Sequence, residues 1–433
     1  MRRPSMALHR AGLVPCLLCV TRMSTRRFSG IAMSSAVTQA IDSTKFAEAK
    51  QLAISARFPH QLPLNEYLMH AGLLGQSVYV PGTPRDPSLP VIVDVRSPCE
   101  YAKGHIPGAM NVPLFTDEER AIIGTLYKHE GHDVAVKRGC AMIEASWRSL
   151  VDSLPSFVSP GDELLVYCKR GGMRSGGFAW LLSQAPINVR MLEGGYQGFR
   201  RWAREEVFQT LQRELVILGG RTGSGKTDVL LKLRNDCGAQ VLDLEGDANH
   251  RGSTFGALGL PPQPSNEMYE NRLALQWATF SPDKPVFIED EGAHVGRCSV
   301  PLGLWALMRA DNANVLRLDV PRATRIARLV DEYGSHSAEE LAACVMALRK
   351  KLGQKRATHM ASLLEQDPPE LAEVADLLLT HYYDSMYEYQ AGKRPGKAEL
   401  FKCDTADPLQ AAERVLDFVA AHATFSSSAV AGS

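Results

Sequence analysis

One stretch constrains this chain of 433 residues more than any other: Gly220-Arg221-Thr222-Gly223-Ser224-Gly225-Lys226-Thr227, an eight-residue phosphate-loop pattern. It follows the apolar run Glu214-Leu215-Val216-Ile217-Leu218 and precedes Val229-Leu230-Leu231, so strand, loop and helix come in the order the pattern requires. Glycines let the backbone curl around phosphate oxygens, Lys226 adds positive charge, and the Thr227 hydroxyl can ligate Mg²⁺. Gly220, Gly223, Gly225, Lys226 and Thr227 are therefore candidate cofactor-binding residues. Downstream, Val286-Phe287-Ile288-Glu289-Asp290-Glu291 reads as a second buried strand that ends in carboxylates. Asp290 is expected to share the metal with Thr227. The order Glu-Asp, rather than the commoner Asp-Glu, leaves open which carboxylate faces the ion.

The length suits two domains, and 45% hydrophobic with 22% charged residues is ordinary for a soluble globular protein. A net charge of zero decides nothing about nucleic acid, because a binding patch depends on distribution. No apolar run is long enough to span a bilayer. The nine cysteines are scattered without framework or zinc spacing, which argues for free thiols in a reducing compartment. Two blocks alternate strand and helix, so the expected class is α/β with mainly parallel sheets. In the first block the strands are Val91 to Val95, Leu164 to Tyr167 and Val189 to Leu192. In the second they are Glu214 to Leu218, Gln240 to Leu244, Pro285 to Ile288 and Val315 to Leu318, and Ala338 to Leu352 is the clearest helix. The segment between Gly198 and Arg213 reads as a charged helix rather than a flexible tether.

Residues 1–41 carry six arginines, several serines and no acidic residue, a composition expected of a targeting peptide. Arg26-Arg27-Phe28-Ser29 resembles a matrix-processing site. A mitochondrion is the expected destination, with a plastid, or the cytosol if translation starts at Met33, as alternatives. Reading Ala11 to Val20 as the core of a secretory signal fits the cysteines less well. Residues 423–433 are expected to form a disordered tail.

After the strand ending at Tyr167 comes Cys168-Lys169-Arg170-Gly171-Gly172-Met173-Arg174-Ser175. Such a loop can turn successive N–H groups inward at a helix N-terminus, forming an anion-binding nest. Its dipoles and the Arg174 guanidinium favour the thiolate form that a nucleophilic cysteine needs. Cys168, Arg170 and Arg174 are the candidate catalytic residues, and Gly171 and Gly172 candidate substrate contacts. Five residues separate the cysteine from Arg174, a spacing shared with cysteine phosphatases, so phosphatase-like chemistry stays an alternative for this loop alone.

Val93-Asp94-Val95-Arg96-Ser97-Pro98 with Gly104-His105-Ile106-Pro107-Gly108-Ala109 resembles the opening signature of rhodanese domains, and Leu192-Glu193-Gly194-Gly195-Tyr196 the closing one. In that pattern Asp94, Arg96 and His105 are structural. A rhodanese-like domain over 45–205 followed by a phosphate-loop NTPase-like α/β domain over 213–405 resembles the bacterial tRNA 2-selenouridine synthases. Further stretches carry the likeness: Glu119 to Lys128, Asn249-His250-Arg251-Gly252-Ser253, Gln263-Pro264-Ser265, Glu289-Asp290-Glu291, Tyr382-Tyr383-Asp384 and Tyr387 to Gln390. Lys169 stands where an aromatic residue is expected, and Asp247 where an apolar one is.

The resemblance implies a selenotransferase with prenyl-transfer activity. Such an enzyme replaces the sulfur of wobble 2-thiouridine, in tRNAs for lysine, glutamate and glutamine, with selenium from selenophosphate. The route passes through an S-geranylated intermediate made from geranyl diphosphate, with Mg²⁺ assisting departure of the diphosphate. It implies no membrane partner. The motif does not decide between a prenyl diphosphate and a nucleoside triphosphate as the ligand of Lys226. Arg349, Lys350, Lys351, Lys355 and Arg356 form a basic cluster suited to tRNA phosphates, Arg349 and Lys350 being the leading candidates, and His250 and Arg251 are further substrate-binding candidates. Competing readings are a phosphate-loop ATPase or kinase with an accessory sulfurtransferase domain, and a non-enzymatic sulfur-relay protein.

Overall fold

The computed structural model describes residues 60–75, 79–82, 86–152, 161–182, 187–211, 213–394, 398–402 and 407–421. The expected targeting segment and tail lie outside the described residues. Internal contacts divide the chain into two units. Of the described residues, one takes in 60–63 with those of Pro87–Tyr101 and Ala109–Gly195; the other takes in those of Leu64–Asp86, Ala102–Gly108 and the stretch from Tyr196 to 421.

The first unit is built on five strands: β1 (Gln61–Leu62), β2 (Val91–Asp94), β3 (Met110–Asn111), β4 (Glu163–Tyr167) and β5 (Asn188–Leu192). They lie in the order β1-β5-β4-β2-β3 with every ladder parallel. Leu164 to Tyr167 are each fully buried, the continuous apolar run of a parallel strand covered on both faces. Val93, Val166, Phe178, Leu182 and Met191 form its core. The helix Asp117–His129 begins at a capping box in which Thr116 accepts from the Glu119 amide and Glu119 accepts from the Thr116 amide.

The second unit carries β6 (Leu215–Gly220), β7 (Gln240–Leu242), β8 (Val286–Glu289), a hairpin of β9 (His294–Val295) and β10 (Cys298–Ser299), β11 (Asn314–Asp319) and β12 (Ala398–Lys402). Its main sheet runs β12-β11-β6-β8-β7, again wholly parallel, with β6 central and all six of its residues buried. The helices Lys226–Asn235 and Pro408–Ala421 share the core beneath it through Val229, Leu230, Ala411 and Val415. A separate helical core joins Ala338–Ala347, Gln354–Leu364, Leu371–Leu378 and a π-helical turn at Leu379–Tyr383. The expected single helix from Ala338 to Leu352 is interrupted at Leu348 and resumes as Arg349–Leu352, before Gly353 at φ +86° starts a new direction.

The charged stretch after Gly195 is amphipathic. Phe199, Trp202, Ala203, Val207 and Phe208 are buried, while Arg200 pairs with Glu270 and Asn271. Trp277 packs on Phe208 and donates to the Leu211 carbonyl. These contacts group the residues from Tyr196 on with the second unit. Gly104 and His105 join them there: a β-carbon on Gly104 would stand 2.6 Å from that of Glu267, and Asn271 donates to the His105 carbonyl.

Candidate active site

Both phosphate-sized loops leave the carboxyl end of a central parallel strand, where open α/β sheets gather their ligands. In the first unit β4 delivers Cys168 and the helix Met173–Leu182 begins five residues later. Cys168 is 3% exposed, and Ser175 donates its hydroxyl to the thiol at 3.2 Å. Gly171 adopts φ +68°, and a β-carbon there would stand 2.5 Å from the Leu192 carbonyl oxygen. Only glycine fits both the backbone region and the space. Lys169 and Arg170 are exposed. Arg174 donates to Glu100 at 2.8 Å, and Arg120 stands 3.8 Å from the same carboxylate. Burial pushes the Glu100 carboxyl up, but Arg174, Arg120 and the Ser97 amide outweigh it and hold the group below its usual value.

Behind this loop Asp94 and Arg96 form a buried bidentate pair. Asn111 donates to both of their carbonyls, tying the ends of β2 and β3. They are the structural brace that the sequence pattern implies.

In the second unit β6 runs into Gly220, and Gly225 in the left-handed region starts the helix Lys226–Asn235. Two arginines of the helix Arg322–Tyr333 brace the loop from outside. Arg325 donates to the Thr222 carbonyl while gripping Asp384 with two bonds, and Arg328 donates to the Ser224 carbonyl. The packing leaves no room for side chains: β-carbons on Gly223 and Gly225 would meet the Arg325 carbonyl at 2.8 Å and the Arg328 guanidinium at 2.7 Å.

The carboxylates around Lys226 sit at the end of β8 and in the turn that follows it. β8 ends at Glu289, and the Glu291 amide donates back to the Glu289 carbonyl at 2.9 Å, turning the chain tightly at Asp290. Glu289 accepts from the Leu244 amide, and Glu291 meets Glu245. Thr227 donates to Glu245 at 2.8 Å. Asp290 is held by Arg394 and Arg309, with Arg309 at 3.7 Å. Thr227, expected to share a cation with Asp290, is bonded instead to Glu245, which in turn meets Glu291. Burial, then the charge of Glu245, pushes the Glu291 carboxyl up to about 8. Burial works to lower the Lys226 ammonium, but Glu245, Glu291 and Asp290 more than offset it and raise it above its ordinary value.

Gly252, at φ +66°, lies against both carboxylates: its missing β-carbon would sit 2.8 Å from an oxygen of each. That contact accounts for the glycine in the 249–253 stretch. His250 has its Nδ1 buried without a partner, and burial holds its imidazole below the usual value against the pull of Glu245. Arg251 is turned to Glu332 and to the Leu258 carbonyl, so it braces its own turn. Asp247, in the slot where an apolar residue was expected, is 6% exposed. Burial pushes its carboxyl up to about 7, and Gln276 donates to it. Arg349, Lys350, Lys351, Lys355 and Arg356 are all exposed at the surface.

Thr227, Glu245 and Glu291 suit a divalent cation, since a buried carboxyl that keeps its proton beside a carboxylate is a place where a cation can replace that proton. Among the described residues no group of three or more His, Cys, Asp or Glu could hold a metal unaided, so phosphate oxygens of a ligand would have to complete the shell. Glu245, Arg309, Arg328, Tyr387 and Arg394 carry this site and were not singled out from sequence. Tyr387 alone lay in a stretch noted for its family likeness.

The family model described as "Rhodanese-like domain" matches residues 84–201, and that described as "tRNA 2-selenouridine synthase AAA domain" matches 213–417. A tRNA 2-selenouridine synthase of Shewanella halifaxensis is 35% identical over 343 residues, covering 72% of this chain and 92% of that protein. Namesakes from Marinobacter nauticus and Sulfurovum sp. are 33% and 36% identical, covering 71% and 69% of this chain and 89% and 88% of their own. Among solved structures, an N-terminal domain from Clostridium difficile 630 is 31% identical over 33% of this chain and 98% of its own, with a TM-score of 0.27. A cysteine cradle and a phosphate loop, each on its own parallel sheet, thus accompany matches to both domains and to full-length relatives: the chain belongs to the tRNA 2-selenouridine synthase family.

Proposed function

We propose that this protein converts wobble 2-thiouridine of tRNA to 2-selenouridine in two stages. In the first, the nucleoside sulfur attacks the C1 carbon of geranyl diphosphate, the C–O bond breaks, and pyrophosphate leaves. In the second, selenium from selenophosphate adds at C2, geranyl thiolate departs, and water cleaves the P–Se bond to release phosphate. Alkylation turns sulfur from a poor leaving group into a good one.

The observation that carries this reading is the presence of two separate anion cradles in one chain, one headed by Cys168 and one by Lys226. Lys226 and the loop amides hold the diphosphate. Mg²⁺, held by Thr227 with Glu245 and Glu291, would stabilise the charge developing on the leaving group. The Cys168 loop takes selenophosphate, its exposed Arg170 offering a cation and its Gly171 and Gly172 amides the nest. Arg349, Lys350 and their neighbours supply a phosphate-binding surface for tRNA. The basic, acid-free segment 1–41 supports delivery to a mitochondrion.

The test incubates the full chain with 2-thiouridine tRNA, geranyl diphosphate and selenophosphate, then reads the nucleosides by mass after digestion. Cys168→Ala should abolish the selenium product and spare the geranyl one. Equal loss of both would contradict the division of labour.

A further inference from the structure

A cavity opens beside the phosphate loop on the side of the helical core. Thr222, the third residue of the loop, forms part of its wall, as do Ser253, Phe255, Leu341, Val374 and Leu378. About 560 Å³ of empty space lies within and in front of it, open solvent included, and no charged side chain lines it. The only polar side chains in its wall are the hydroxyls of Thr222 and Ser253 and the phenols of Tyr333 and Tyr383. The Arg325 guanidinium, which braces the same loop, is committed to Asp384 and to the Thr222 carbonyl.

A second cavity next to the loop has the opposite character, lined by Arg221, Arg317, Asp319, Arg325, Tyr387 and Glu388. The loop therefore borders one charged cavity and one uncharged one. The uncharged wall is apolar except for a few hydroxyls, a lining suited to a hydrocarbon. A π-helical turn, a rare device found often at functional sites, forms one side of it through Leu379 and Tyr383.

We infer that this cavity is the seat of the hydrocarbon chain of a ligand whose diphosphate lies in the Gly220–Thr227 loop. This rests on the donor reading above and deepens it by assigning the residues that choose the chain. Thr222 and Ser253 stand where the polar head meets the tail. Phe255 and the helix Leu371–Leu378 set how long and how wide a tail the cavity accepts. The same side chains exclude water from the chain, so affinity grows with each buried methylene.

The experiment measures binding of geranyl diphosphate and of inorganic pyrophosphate to the full-length protein by calorimetry. It compares the unchanged chain with two cavity-filling variants, Val374→Phe and the milder Ala375→Val. The expected result is a Kd for geranyl diphosphate at least tenfold weaker in Val374→Phe, and weaker by a smaller factor in Ala375→Val. Pyrophosphate affinity should stay within twofold in both. Should the unchanged protein bind geranyl diphosphate no more tightly than pyrophosphate, the donor reading itself falls. If it prefers geranyl diphosphate and the filled variants keep that preference, the cavity is a packing defect only, and this assignment alone is overturned. A parallel loss of both ligands would also overturn it, because the substitutions would then act through the loop.

A geranyl diphosphate analogue with a photoreactive group at the tail end gives a readout that needs no variant. Crosslinks should map to Phe255 or to residues 371–383. Crosslinks confined to residues outside the cavity wall would refute the inference.

Discussion

Gly171 and Gly195 lie backbone against backbone: a β-carbon on Gly195 would stand 2.4 Å from the Gly171 nitrogen and 2.5 Å from the Cys168 carbonyl oxygen. The closing Leu192–Tyr196 signature is thus the floor of the cysteine loop.

This contact predicts a sharp contrast between neighbouring glycines. Gly195→Ala meets both a left-handed backbone, φ +56°, and a steric block. It should cost at least about 2 kcal/mol of stability, the left-handed region alone accounting for roughly half, and slow alkylation of Cys168 or expose it abnormally. Gly172→Ala should be near neutral in stability, since nothing lies within 4 Å of its added carbon. Thermal melts and iodoacetamide kinetics check both. Equal effects of the two substitutions would remove the floor from the argument.

A second prediction concerns pH. The Glu100 carboxyl is held below its usual value in the folded state, so its contribution to stability is present above the unfolded value near 4.5 and is lost as pH falls through the lower folded value. Glu100→Gln should be about 1–2 kcal/mol less stable than the unchanged protein at pH 7, the scale of a hydrogen bond to a charged group. The gap should close on acidification below pH 4. Urea melts across pH 3 to 7 measure it, and a gap constant with pH would show that Arg174 gains nothing from the charge. With Glu100 neutral, Arg174 is also freed to turn toward an anion, so selenophosphate affinity should not fall.

Burial separates two arginine pairs that look alike in sequence. The Arg394 and Asp290 side chains are 3% and 9% exposed, whereas those of Arg221 and Glu388 are 45% and 50% exposed. Removing one partner of the buried pair strands the other charge, which costs about 3–5 kcal/mol. The exposed pair is worth about 0–1 kcal/mol. Asp290→Asn should therefore lower the melting temperature markedly and Glu388→Gln hardly at all. Reversal of that order would contradict the assignment of Asp290 as the anchor of Arg309 and Arg394.

What could be read from sequence followed from locality. The strand–loop–helix at Leu215 to Asn235 and the loop after Tyr167 are local patterns, legible as such, and both formed where expected. β1 and β3 are two residues each, too short to leave a pattern, and exist because parallel neighbours pair with them. Residue roles were harder. Arg394 meets Asp290 across 104 positions and Glu100 meets Arg174 across 74, pairings that depend on fold rather than spacing. Glu245 stands 18 residues after Thr227 in no motif. Which carboxylate of Glu289-Asp290-Glu291 meets Glu245 depends on the tight turn after β8, where the Glu291 amide bonds back to the Glu289 carbonyl, and no motif spacing encodes that turn.

The last prediction tests that arrangement through the metal. The charges of Glu245, Glu291 and, from its arginine pairs, Asp290 all act on the single ammonium of Lys226, so an incoming diphosphate adds negative charge to an already acidic corner. A divalent cation beside Thr227 and Glu245 would resolve the conflict, so cation and diphosphate are expected to bind together better than either alone. Mg²⁺ or pyrophosphate separately should raise the melting temperature little. Together, at about a hundredfold over Kd, they should stabilise the second unit by roughly 2.7 kcal/mol, or about 5–10 °C for a domain of this size. Thr227→Val keeps the shape and removes the hydroxyl, so it should lose most of the joint increment. Asp290→Glu keeps the charge and should lower the starting temperature while retaining the increment, because Asp290 holds arginines rather than the ion. An equal rise with pyrophosphate and a chelator would exclude the cation. An increment lost in Asp290→Glu but kept in Thr227→Val would return the metal to the residue first expected to bind it.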